Sequence, residues 1–326
     1  MSDNNIPLMY FLTSVIMVDD NRSFLDNFGM ELNYPGVLES YTSPREAIES
    51  ILSKNNIFNS LKDYLIEIES NEFDNDCELH SINYDSIIKK LFDEKRFYEP
   101  SVIIVDYSMP EMNGVEFCRR IKKHPSLKLM LTGEADYKLA VEAFNEGIID
   151  QFIMKDVNTS KIEVVDAVKN LSMEYFKRFS SQVLRDEKSI LKSDQYKKIF
   201  NDWINEKNII EYYSISNTGS KLGMDSKGNM RWLISCLSSD ITHYIDVGVA
   251  QGASESLLNL LSSKKIQLAL FTEVQKKEPV SSWVDYMVNI DGSFQYNNEV
   301  LHYSFLDNFT IKGVINDKVK RIYDVK

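Results

Sequence analysis

The feature that most constrains this chain is a repeated alternation. Short apolar runs end in an acid or a hydroxyl and are followed by segments with helical spacing. Ser14-Val15-Ile16-Met17-Val18 runs into Asp19-Asp20, and Ser101-Val102-Ile103-Ile104-Val105 runs into Asp106. Val37 to Tyr41, Leu127 to Thr132 and Asp150 to Met154 are three further runs. An unbroken apolar run this short suits a strand buried on both faces. Between the runs, helices are expected over 21–32, from Pro44, over 115–123, over 135–146 and from Ile162 onward. Ser43-Pro44-Arg45-Glu46 is a helix start, with Ser43 as cap, Pro44 in the first helical position and Glu46 three residues past the cap. Five strands alternating with helices predict an α/β fold: a five-stranded doubly wound parallel sheet with helices on both faces.

One stretch exceeds that plan. About fifty residues separate Leu52 from Val102, where such connections usually take a few. Residues 53–72, with Ile57, Leu61, Tyr64, Leu65 and Ile68, and residues 82–97, with Ile87, Ile88, Leu91 and Phe92, both show helical spacing. The acidic stretch Asn71 to Glu78 between them is expected to be a loop. The whole reads as a helical insertion over about 53–98, either a folded-back extension of the second helix or a partner-binding element.

Composition sets the outer limits. The 326 residues suggest about two domains, and 43% hydrophobic content is enough to build cores. The net charge of -12 is unevenly distributed: residues 1–158 hold 15 basic and 28 acidic side chains, residues 159–326 hold 22 and 21. An acidic half repels polyanions and attracts divalent cations. Cys77, Cys118 and Cys236 are odd in number and have no CxxC spacing, which argues against a disulfide framework and suits a reducing cytoplasm. No apolar run is long enough to span a membrane. Ile6 to Val18 lacks the basic flank and small-residue cleavage site of a signal peptide, so a buried strand is the expected reading.

The functional candidates all fall at strand ends. Ligands of a doubly wound sheet bind outside the carboxyl ends of its strands. Asp19 and Asp20 follow the first strand, Asp106 the third, Thr132 ends the fourth, and Lys155 follows the fifth. Either carboxylate group alone is ordinary turn chemistry; five such residues in order, with Met109-Pro110-Glu111-Met112-Asn113-Gly114 after Asp106, form a constellation.

These residues resemble the receiver domain of two-component response regulators. The resemblance rests on Val18-Asp19-Asp20, on Asp106 through Gly114, on Leu131-Thr132-Gly133 and on Phe152-Ile153-Met154-Lys155, and spans residues 13–157. It implies that Asp106 accepts a phosphoryl group from a histidine kinase or a small phosphodonor. It implies a Mg²⁺ ion held by Asp19, Asp20, Asp106 and the backbone carbonyl of Ser108. Such an ion takes oxygen ligands and neutralises charge that would otherwise repel the phosphoryl group. Lys155 supplies a fixed positive charge, and the Thr132 hydroxyl and the aromatic Phe152 act as the switch. The switch would bias the face of the fourth helix, fifth strand and fifth helix toward phosphorylation-promoted homodimers. Two departures stand out: Asp156 follows Lys155 where the family usually has proline, and the insertion is long.

Beyond the receiver, residues 161–191 are expected to be one connector helix, followed by a second over 195–207. Ile209–Ile215, Lys221–Met224 and Met230–Cys236 read as strands of an antiparallel meander, separated by turn signals. A helix over 253–261, a strand over 266–271 and tail strands near 303–306 and 319–323 complete an α+β output domain from about residue 194. Gly248, Gly252 and Ser254 lie in a small-residue stretch before a helix, which can present N–H groups to a phosphate or simply pack tightly. The output is therefore open between a protein-interaction module, a nucleotide-binding domain and a nucleic-acid-binding one. Response regulators that combine a receiver insertion with a nonstandard output domain are the subfamily this combination resembles. That resemblance implies cell-density signalling (quorum sensing) downstream of membrane kinases.

Overall fold

The computed structural model describes residues 5–68, 79–133, 136–155, 161–184, 190–270, 273–307 and 319–322. The expected acidic loop at 71–78, Asp156 and Tyr323 lie outside them. In chain order the elements are β1 (Met9–Tyr10), β2 (Ser14–Val18), α1 (Arg22–Leu32), β3 (Val37–Tyr41), α2 (Pro44–Ser53), β4 (Leu65–Ile68), β5 (Leu79–Ile82), α3 (Tyr84–Lys89), β6 (Pro100–Asp106), α4 (Gly114–Arg120), β7 (Leu127–Thr132), α5 (Tyr137–Asn145), β8 (Gln151–Met154) and α6 (Lys161–Val183). They continue with α7 (Asp194–Lys207), β9 (Ile209–Ser214), β10 (Lys221–Asp225), β11 (Met230–Leu237), α8 (Ser238–Ala250), α9 (Glu255–Ser262), β12 (Ile266–Leu268), α10 (Glu273–Lys276), β13 (Met287–Asn289), β14 (Gly292–Tyr296) and β15 (Glu299–Leu306).

The chain divides into two compact units. The first comprises residues 11–61 and 93–182, with residues 321 and 322. Its five strands form one parallel sheet in the order β3-β2-β6-β7-β8, the doubly wound order expected. Strands β2, β6 and β7 are buried along their whole length, which is why they read as unbroken apolar runs. The core on one face joins Ile16, Val18, Ile103, Val105 and Met130 to Ala47 and Ile51 of α2 and to Phe117 and Cys118 of α4. The cap on α2 forms as expected, with Ser43 Oγ accepting from the Glu46 N–H at 3.4 Å. Strand order reverses between β2 and β6, so the carboxyl ends of those two strands border the crevice where such sheets bind ligands.

The insertion departs from the expected helices. Residues 57–64 form 3-10 turns, and Leu65–Ile68 then pairs antiparallel with Leu79–Ile82. Four-residue runs such as Leu-Ile-Glu-Ile fit helix and strand spacing equally, and here the ladder decides. Helix α3 and further 3-10 turns at 90–92 and 94–98 replace the single helix expected over 82–97.

The second unit takes residues 62–92 and 183–320 together with the N-terminal residues through Tyr10. Its main sheet has six strands in the order β1-β9-β10-β11-β15-β14, with every pairing antiparallel. The β9-β10-β11 meander is the one the turn signals predict. Strand β1 joins it from far upstream in the sequence, with Met9 opposite Tyr213 and Tyr10 opposite Tyr212. Among the described residues β12 pairs only with β13, and it is shorter than expected. The described residues 319–322 show no strand, against expectation. α8 begins at Ser238, so much of the small-residue stretch is helical. Its β-branched residues and Gly248 are weak helix formers. Packing overrides them: Ile241 and Gly248 are buried, and Ile245 and Val247 lie against a core containing Leu257, Leu261 and Trp283.

Among the described residues, no helix is long and apolar enough to cross a membrane.

Candidate functional site

The register of β2 beside β6 sets Val18 next to Val105, so the residues that follow, Asp19 and Asp106, emerge at one edge of the sheet. A carboxylate oxygen from each of Asp19, Asp20 and Asp106 lies within 4.8 Å of the others. Asp19 is 4% exposed and Asp106 8%, while Asp20 faces solvent. β8 brings Lys155 to the same place, its backbone N–H donating to the Thr132 carbonyl at 2.8 Å. The Lys155 ammonium lies 2.6 Å from Asp19 Oδ2 and 2.7 Å from Asp106 Oδ1. One ammonium thus pairs with two largely buried carboxylates, with the exposed Asp20 beside them.

The remaining oxygens are held by backbone. Asp19 Oδ1 accepts from the Asn21 N–H at 2.9 Å, and Asp106 Oδ2 from the Ser108 N–H at 2.9 Å. Asn21 in turn caps α1 by accepting from the Phe24 N–H at 3.0 Å. Both carboxylates are therefore fixed before any ligand arrives. The donor set is oxygen only and carries surplus negative charge, which fits a hard divalent cation such as Mg²⁺.

Gly114 explains why the residues after Asp106 take this form. A Cβ built at Gly114 would fall 2.4 Å from the Asp106 carbonyl oxygen and 3.1 Å from the Tyr107 Cα. Gly114 N–H also donates to the Tyr107 carbonyl at 2.9 Å, folding the 107–113 loop back on β6. Gly114→Ala is expected to cost about 1–3 kcal/mol through this clash with rigid backbone. Because it displaces Asp106 itself, phosphoryl uptake should slow by about tenfold or more. Denaturant unfolding and uptake rate measured on the same sample check both effects.

Thr132 is fully buried at the end of β7, its hydroxyl directed to the Gly133 carbonyl at 3.2 Å. Phe152 on β8 is half-buried, with ring centroids 5.5 Å from Tyr137 and 6.1 Å from Phe144 on α5. Phe24, within the helix expected over 21–32, is not among the strand-end candidates. Its ring lies 4.1 Å beneath the Lys155 ammonium, a cation–π contact that steadies that side chain. Its place in the first turn after Asp19-Asp20 is the signal that points to it.

The second unit's candidates are not arranged as a free loop. Gly248 is inside α8, Gly252 is the left-handed residue of the turn after it, and Ser254 caps α9. Ser254 Oγ accepts from the Leu257 N–H at 3.3 Å and is hydrogen-bonded to Ser256 Oγ at 3.0 Å. The stretch is helix end and helix start, which is the packing alternative stated above.

Comparison with known proteins agrees with the geometry. The family model described as "Response regulator receiver domain" matches residues 75–167, a stretch holding Asp106, Thr132 and Lys155. Asp19 and Asp20 lie before it, across the insertion. An uncharacterized response regulatory protein of Vibrio cholerae is 32% identical over 65 residues, or 20% of this chain; the match spans 24% of that relative's length. The solved response regulator LqsR of Legionella pneumophila aligns over 98% of this chain and 95% of its own, with 28% identity and a TM-score of 0.76. A receiver domain from Clostridium thermocellum aligns with 51% of this chain and 98% of its own, at 20% identity and a TM-score of 0.33. With the parallel five-stranded sheet, the strand-end acids and the matched motifs in place, the N-terminal half of this chain is a response-regulator receiver domain.

Proposed function

We propose that this chain is a phosphorelay response regulator in which Asp106 is the phosphoacceptor. The observation that carries this reading is the pairing of Asp106 with Lys155 beside Asp19 and Asp20, all held rigidly at the sheet's carboxyl edge. An Asp106 oxygen attacks phosphorus and a P–O bond forms. The P–N bond of a phosphohistidine, or the P–O bond of an acyl phosphate, breaks, and its electron pair leaves with the imidazole or carboxylate. Asp19, Asp20, Asp106 and the Ser108 carbonyl would hold Mg²⁺, which supplies positive charge toward the phosphoryl oxygens when bound. Lys155 offsets charge on the other side, and the Thr132 hydroxyl donates to a phosphoryl oxygen. The cognate donor is a sensor histidine kinase or phosphotransfer protein.

The α5-β8-α6 surface is the proposed switch and homodimer face. Tyr137, Leu139, Phe144, Met154 and Ile162 on these elements are all exposed large apolar side chains. Their cost in water favours burial against a second copy once the switch turns. The second unit is read as a protein-interaction output, since the stretch that would hold a nucleotide phosphate is committed to helix caps and packing. A role in cell-density signalling belongs to this proposal only through the combination of a receiver insertion with a nonstandard output domain.

Acetyl phosphate with Mg²⁺ tests the acceptor. Wild type should gain the mass of one phosphoryl group and Asp106→Asn none; equal gain by both, or by neither, overturns the assignment.

A further inference from the structure

The residue that opens α5 breaks a local rule. Asn21, Ser43 and Asn113 each cap their own helix, accepting from the N–H three residues on. Asp136 occupies the same position before α5 and makes no such bond. An Asp in that place ordinarily stabilises its helix by capping. Instead, Asp136 Oδ2 accepts from the Ser108 hydroxyl at 3.1 Å, across 28 residues of sequence. Ser108 is the residue whose N–H holds Asp106 Oδ2 at 2.9 Å. A chain of contacts therefore runs from Asp106 through Ser108 to the residue just before α5. One residue further on, Tyr137 packs its ring on Phe152.

Resting on the phosphoacceptor reading above, we infer that Asp136 is a positioning residue, a latch that holds the start of α5 in the unphosphorylated arrangement. A phosphoryl group on Asp106 replaces a single carboxylate charge with nearly two beside the loop that Asp136 grips. The Asp136 carboxylate is repelled and gives up the Ser108 hydroxyl. The start of α5 moves with it, and Tyr137 shifts against Phe152. The latch thus couples the site to the surface by a bond present in one state only. By reciprocity, removing the bond must strengthen binding of the phosphoryl group or its analogue.

Beryllofluoride with Mg²⁺, a non-covalent phosphoryl analogue, gives an equilibrium readout by calorimetry on the full chain. Ser108→Ala and Asp136→Ala should each tighten its binding about fivefold. The double variant should tighten it no further, because both remove one bond. Asp136→Asn, which keeps an acceptor for the hydroxyl, should tighten it less than Asp136→Ala. Additive effects overturn the latch. So does a wild-type value in Ser108→Ala alongside equal tightening in Asp136→Asn and Asp136→Ala, since the carboxylate then acts only as a charge. If every variant matches a wild type that binds the analogue, the latch is also wrong. A wild type that neither binds beryllofluoride nor takes phosphate from acetyl phosphate contradicts the phosphoacceptor reading itself, a separate failure.

Discussion

Lys155→Met should destabilise the metal-free protein by about 2–3 kcal/mol and make it unusually dependent on Mg²⁺. The Lys155 ammonium touches both Asp19 and Asp106, whose side chains are 6% and 10% exposed. Methionine retains the apolar length over Phe24 but leaves two largely buried carboxylates, with Asp20 nearby, facing no cation. The Lys155 side chain is itself only 29% exposed, so solvent screens the pair incompletely. Addition of Mg²⁺ should restore part of the loss, giving a larger rise in the unfolding midpoint for the variant than for wild type. Phosphoryl uptake should fall about 100-fold even with Mg²⁺ present, because a fixed charge aimed at the developing phosphoryl charge is gone. Denaturant unfolding in chelator and in Mg²⁺, with uptake rates alongside, checks all three. Equal midpoints for wild type and variant in chelator would show that Lys155 is not what holds the carboxylates together.

The second large effect is expected in the second unit. Lys221 on β10 is fully buried, and burial pushes its pKa down from 10.5 to about 7. Its ammonium donates to the Pro7 carbonyl at 3.1 Å and to Ser214 Oγ at 2.6 Å, and lies 5.3 Å from the Tyr212 ring centroid. No carboxylate is among these partners, so the low-dielectric surroundings penalise the charged form. Below pH 7 the folded and unfolded chains both hold the proton. Above 10.5 neither does. Between those values the unfolded chain holds a proton that the folded chain has released, so stability rises with pH across this window. The slope is up to about 1.4 kcal/mol per pH unit. The penalty is present in full below about pH 7. Lys221→Met should remove that slope and stabilise the unit at neutral pH. The gain is expected to be only about 1–3 kcal/mol, because the Pro7 and Ser214 oxygens lose their donor. Unfolding midpoints of both proteins at several pH values between 7 and 10 measure the difference. Parallel pH profiles would contradict the assignment of the slope to Lys221.

The receiver site was more legible in the sequence than the rest because its information is local. Strands β2, β6 and β7 are buried on both faces, so each appears as an apolar run, and the acids that matter follow immediately. The caps at Ser43 and the strand-end order of Asp19, Asp106, Thr132 and Lys155 also need no distant partner to be read. What escaped depends on distant contacts. Leu65–Ile68 becomes a strand only because Leu79–Ile82 pairs with it. Met9–Tyr10 is a strand only because β9 lies beside it. α8 is helical despite Ile241, Thr242, Ile245, Val247 and Val249, since its packing outweighs their propensity. Phe24 and Asp136 read as ordinary members of the helices expected over 21–32 and 135–146, and their positions acquire meaning from Lys155 and Ser108. Gly248, Gly252 and Ser254 show the converse: a small-residue pattern compatible with phosphate binding is equally what two closely joined helices require.

The central claim is that Asp106 takes the phosphoryl group with help from a divalent cation. Borohydride reduction of the phosphorylated chain converts an aspartyl phosphate to homoserine, and peptide mass mapping then locates it. The account predicts homoserine at position 106 alone, formed with acetyl phosphate and Mg²⁺ and absent when a chelator replaces the metal. Homoserine at position 19 or 20, or an unchanged yield at position 106 in chelator, would contradict it.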